Sequence, residues 1–210
     1  MEKYIKEKGQ ERRVILIKNP QRKGALANRY KGVHLCDDDT IIVDCDGDDM
    51  LADPKTLSTI NEIYSSNDVW MTWGSYIHQS NGSRGCSKAV PPEVILGNAF
   101  RRYDWIFSHL RTYYAALFKK IKHEDLLFHS NYFKMATDVA VMMPMLEMAG
   151  THSMFIEKVL YIYNDMNSIN LHKVNRQFQL LMYKIILTKR PYKNLDRLFT
   201  NKMDEVDLVD

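Results

Sequence analysis

The β-branched residues Ile41, Ile42 and Val43 run straight into Asp44, Asp46, Asp48 and Asp49, with Cys45 and Gly47 between them. An apolar run of this kind reads as a buried strand, and the carboxylates then fall at its carboxyl end. Like charges packed so closely repel, so a fold keeps them at the mouth of a sheet mainly where a cation sits among them. Donors made of oxygen alone favour a hard ion such as Mg²⁺ or Mn²⁺, which commonly bridges carboxylates to phosphates. The plainer alternative for Asp46 and Asp48 is an acidic turn that caps the helix opened by Pro54. Alternation puts Asp44 on the same side as Asp46, where it supports the ligands or is simply solvated. A calcium-binding EF-hand loop is excluded, because Gly47 is misplaced and no Glu stands twelfth from Asp44 or Asp46.

The rest of the chain alternates strand and helix signals. Residues 14–17 read as a strand ended by Asn19 and Pro20, residues 24–35 as a helix, and residues 41–43 as the next strand, together a β-α-β unit. Leu57, Ile60 and Ile63 space a helix after Pro54, and residues 69–73 return as a strand that continues through 76–78. Ile106, Leu110, Tyr113, Leu117 and Ile121 predict a helix over 105–121. A helix starting near Thr137 and Asp138 carries Pro144 inside its pattern and stops at Gly150, which predicts a kink or restart. Residues 155–163 read as a strand and 171–187 as an amphipathic helix, followed by a tail over 191–210. This order predicts one α/β domain over 1–190 with its active groups at the carboxyl ends of strands.

Composition narrows the class. A net charge of +3 with acids and bases interleaved argues against a nucleic-acid partner. Three cysteines at unrelated spacings fit reduced thiols. No signal peptide or membrane span is legible, so the expectation is a cytoplasmic protein without stable membrane insertion.

Several segments, in order, resemble the family 2 glycosyltransferases of the GT-A fold. Gly24, Ala25, Leu26, Ala27 and Asn28 resemble a Gly-x-x-x-Asn helix start. Residues 42–49 resemble a strand followed by a DxD motif, Asp46-Gly47-Asp48. Thr137 to Ala140, with Pro144, Glu147, Ala149 and Gly150, resemble the segment carrying a catalytic base, and residues 159–164 resemble the strand that closes the site. The resemblance implies a GT-A-like (Rossmann-like) mixed sheet flanked by helices, amino-terminally truncated, with a C-terminal amphipathic helix. It implies an inverting transfer of a hexose from a nucleoside-diphosphate sugar, UDP foremost, to a hydroxyl of a glycan or protein acceptor. Asp46 and Asp48 would hold the donor and a Mn²⁺ or Mg²⁺ ion, with Gly24, Asn28 and Arg111 near the donor. Asp138 would be the general base, and His172 lies where GT-A enzymes often place a third metal ligand. The first strand and helix of the nucleotide pocket are not legible ahead of residue 14. That leaves open a homo-oligomer that completes the sheet, or a non-catalytic binding module.

Each of these residues has a structural reading beside the functional one. Asp138 could simply cap its helix, and His172 could be a surface histidine. Glu147 reads as structural, Arg111 could form an ion pair instead of a phosphate contact, and His109 could orient substrate. Trp73 could stack on a sugar or belong to the core. Met142, Met143, Met145 and Met148 read as packing.

Overall fold

The computed structural model describes residues 1–167 and 175–199. In chain order the elements are α1 (Glu2–Glu7), α2 (Ala25–His34), β1 (Ile41–Asp44), β2 (Met50–Leu51), α3 (Thr56–Ser66), β3 (Met71–His78) and α4 (Pro92–Leu96). After these come β4 (Arg111–Tyr114), α5 (Ala115–Lys119), β5 (Leu127–Phe128), β6 (Asn131–Tyr132), α6 (Thr137–Ala149), β7 (Ser153–Tyr163) and α7 (Arg176–Thr188). Five strands form one sheet in the order β1-β4-β3-β7-β2; β3 and β7 run parallel and the other pairings are antiparallel. Strands β5 and β6 make a separate hairpin.

Alternation along the strands divides the apolar residues between two layers. On one face Met71, Trp73 and Tyr113 join Leu26 and Val33 of α2, Leu117 and Phe118 of α5, most of α6 from Val139 to Ala149, and Met182 and Ile186 of α7. On the other, Ile60 and Tyr64 of α3 pack with Tyr76, Leu110, Ile156, Leu160 and Tyr161. Burying polar strand residues between these layers requires partners. The Thr72 and Thr112 hydroxyls lie 2.6 Å apart, and the Tyr64 hydroxyl reaches Thr112 at 2.9 Å. A mixed sheet with helices on both faces agrees with the α/β class that the alternation of elements predicts and with the GT-A-like arrangement that the resemblance implies.

Three expectations are corrected. Residues 14–17 are not a strand: among the described residues no partner strand lies beside them, and Ile15 is 84% exposed. The expected β-α-β unit therefore begins at its helix. The helix expected over 105–121 is instead an irregular stretch, then β4, then the short α5. Pro144 neither kinks nor restarts α6, which runs unbroken with every residue from 139 to 149 buried. Proline leaves one helical carbonyl without its donor, and packing on all sides holds the helix across that gap. The expected strand over 155–163 and the C-terminal amphipathic helix are present as β7 and α7. Among the described residues no helix is long and apolar enough to cross a membrane.

Candidate active site

The acidic turn leaves the end of β1 and is fastened to β7. The Tyr161 hydroxyl donates to Asp49 at 2.6 Å and accepts from the Asp46 backbone N–H at 3.1 Å, while the Asn164 N–H donates to the other Asp49 oxygen at 2.7 Å. Asp49 is therefore the anchor of the turn. Asp48 lies at its tip and accepts a hydrogen bond of 2.6 Å from the Asn167 amide. Asp44 points back under the sheet, where Arg29 of α2 grips both its oxygens at 2.8 and 3.1 Å. Burial is the largest single influence on Arg29 and works against its charge, yet Asp44, Tyr113 and Asp46 together outweigh it and hold the guanidinium ionised. That pairing removes one negative charge from the cluster and gives Asp44 its role as a support.

Arg111 opens β4 and is 4% exposed. Its guanidinium faces Asp44 at 3.6 Å, Asp46 at 4.0 Å and Asp138 at 3.6 Å. One fixed cation thus spans the acidic turn and the first turn of α6. Asp138 does not cap α6, which has no side-chain cap; it lies inside the first turn, where the helix dipole favours a carboxylate. Ala136 precedes it in the left-handed conformation, with φ of 53°, and that turn aims the start of α6 at the acidic cluster.

His109, also buried, lies flat on Tyr161 with ring centroids 4.5 Å apart and an angle of 2°. Burial, then the nearby Arg111 and Arg29 charges, push its pKa well below the usual histidine value, so the imidazole is neutral at physiological pH. One ligand atom each from Asp46, Asp49 and His109 lie within 4.8 Å of one another. Burial raises both carboxylates, most strongly opposed by Arg111 at Asp46 and by Tyr161 at Asp49. Two carboxylates and a neutral imidazole form a donor set that fits Mn²⁺, and Mg²⁺ less closely because of the nitrogen.

A cavity of about 590 Å³ collects these groups. Arg29, Asp46, Asp48, His109, Arg111 and Asp138 all line it, with Trp105, Thr137 and Gln179. Gly24 and Asn28 line a neighbouring cavity of about 740 Å³ with Arg22, Lys23 and Lys134. The Asn28 side chain accepts from Asn19 at 2.8 Å. His172 lies outside the described residues. Trp73 belongs to the core, 1% exposed with its Nε1 donating to the Lys88 carbonyl at 2.9 Å. Sequence reasoning counted Asp49 in the acidic cluster without giving it a role of its own, placed Tyr161 only within the strand expected to close the site, and missed Trp105.

The family model described as Glycosyl transferase family 2 matches residues 1–129, more than half of the chain. The matched stretch contains Asp46, Asp48, His109 and Arg111 and stops short of Asp138. No curated protein matches the chain.

Proposed function

The chain belongs to glycosyl transferase family 2, and from that premise we propose that it moves a hexose from a nucleoside-diphosphate sugar, UDP foremost, to an acceptor hydroxyl with inversion. The observation that carries this reading is the meeting of Asp46, Asp48 and Asp138 in one cavity, across 90 positions of sequence, with Arg111 between the turn and the helix. In this mechanism Asp138 accepts the proton of an acceptor hydroxyl as that oxygen attacks the anomeric carbon. The bond from the anomeric carbon to the diphosphate oxygen breaks on the opposite side, and configuration inverts. Arg111 keeps the Asp46 and Asp138 carboxylates in fixed relation, and the first turn of α6 fixes where Asp138 stands.

A Mn²⁺ or Mg²⁺ ion would be held by Asp46 and Asp48, with Asp49 and the neutral His109 near enough to Asp46 to share it, and would neutralise the charge that builds on the departing diphosphate. Glycan or protein hydroxyls are both acceptors of the required chemistry.

The test has two parts. Mn²⁺ with UDP is expected to raise the melting temperature of the wild-type protein, and Asp48→Ala to remove that response. Release of UDP from a panel of UDP-sugars should depend on the metal, and Asp138→Asn is expected to lower transfer by about 10²–10⁴-fold while leaving the melting response to UDP in place. A wild-type protein indifferent to metal, UDP and every sugar donor would replace this reading with that of a binding module.

A further inference from the structure

We propose that Trp105 is the platform on which the acceptor stacks, and that the acceptor is a sugar ring; this rests on the transferase reading above. Of the three tryptophans in the chain, two are core residues. Trp73 is sealed between β-sheet and helices, and Trp70 is buried with its ring flat on His152 at 4.0 Å. Trp105 differs from both. It is only partly buried, it lines the active-site cavity, and Phe107 meets its ring at 70° with centroids 5.9 Å apart, which fixes the indole from the core side.

Its polar end is also uncommitted. Among the described residues the Trp105 Nε1 has no hydrogen-bond partner, whereas the Trp73 Nε1 is satisfied by a carbonyl. An indole that offers a face to a wet cavity and keeps its N–H in hand is an amphipathic surface. A pyranose ring is its complement, with a face of C–H groups bordered by hydroxyls.

Position assigns the ring to the acceptor. Trp105 packs against the core layer that contains α6 and α7, whereas Tyr161, which fastens the acidic turn, belongs to the other layer, so the indole lies on the Asp138 side of the cavity. Met135, Thr137, Asp138 and Gln179 share that cavity with Trp105. The donor's diphosphate, by contrast, is expected at the acidic turn. A sugar laid on Trp105 would present a hydroxyl toward Asp138, which is the geometry that an inverting displacement needs.

Tryptophan fluorescence reads this directly, because the other two indoles are buried. A panel of free mono- and oligosaccharides ending in glucose, galactose or N-acetylglucosamine is titrated into the full chain in the presence of Mn²⁺ and UDP. At least one sugar is expected to shift or quench the emission of the wild-type protein, and Trp105→Phe is expected to abolish that signal. In transfer assays, Trp105→Ala should raise the acceptor KM by about tenfold and Trp105→Phe by about threefold, with the change falling on acceptor KM and not on donor KM. Emission indifferent to every sugar, or a change in donor KM in place of acceptor KM, overturns the proposal. A protein that answers to sugar through Trp105 but never to UDP and Mn²⁺ would retain the platform and lose the transferase reading, so the two failures are distinct.

Discussion

The Tyr161 phenol donates to Asp49 and accepts from the Asp46 backbone, so one side chain on β7 sets where two residues of the acidic turn lie. Phenylalanine at 161 keeps the ring on which His109 lies but leaves a carboxylate oxygen and a backbone N–H without partners. Tyr161→Phe is therefore expected to cost about 1–3 kcal/mol in urea unfolding and to raise donor KM more than it lowers kcat. His109 carries a pH signature of its own. Its folded-state pKa lies well below the ordinary value, chiefly through burial. Above the unfolded value of about 6.5 both states are neutral and no stability is at stake. As pH falls below that value the unfolded chain takes up a proton that the folded site refuses, so stability drops. Wild-type protein should lose more stability between pH 7 and 5 than His109→Gln, by up to about 1.4 kcal/mol per pH unit. Part of this site was legible residue by residue. The carboxylate cluster announced itself through like charges in a row, and alternation placed Asp44 beside Asp46. Arg29 and Tyr161 were not legible, because each reaches the turn from an element whose place in space no local pattern records.

At the level of elements, α6 shows how the site is braced from behind. Glu147, fully buried, accepts from the Arg101 guanidinium at 2.5 and 2.9 Å and from the Tyr192 N–H at 3.0 Å. Arg101 also donates to the Ile186 carbonyl of α7 at 2.5 Å. This cluster ties the far end of the helix that presents Asp138 to α7 and the segment after it. Removing one charge strands the other in the interior, so Glu147→Gln should cost about 3–5 kcal/mol, read by urea unfolding. Replacing both partners with leucine should cost less than the single change, because no orphan charge remains. The reading of Glu147 as structural follows from its place inside an apolar helical pattern, and its cation lies 46 positions away. Strand β4 was missed for the opposite reason. Its residues Arg111, Thr112 and Tyr113 are all buried, so the alternation of polar and apolar residues that reveals a half-exposed strand is absent. Its neighbours supplied enough apolar residues at helical spacing to mimic a helix.

Across the whole molecule, hydrophobicity alone does not say which apolar run enters the core. Residues 14–17 and 41–43 have the same β-branched character, yet Ile41, Ile42 and Val43 pair with β4 while Ile15 is left facing outward. What separates them is a partner: β4 supplies hydrogen bonds along the whole of β1, and nothing among the described residues does so for 14–17. The fold class was legible because it depends on the order of elements, which periodicity conveys. Which segment occupies which place in the sheet depends on pairings between distant stretches, which periodicity does not convey. Two substitutions separate these levels. Ile15→Lys puts a charge where the side chain is already solvated and is expected to change stability by no more than about 0.5 kcal/mol. Leu26→Ala, at a fully buried position of α2 against the main core, removes packed methyl groups and leaves a void, for an expected loss of about 2–5 kcal/mol. Melting temperatures should follow, falling by several degrees for Leu26→Ala and by about one degree or less for Ile15→Lys. A large loss from Ile15→Lys would mean that the outward-facing run is covered in solution, and it would move that segment from the surface to an interface.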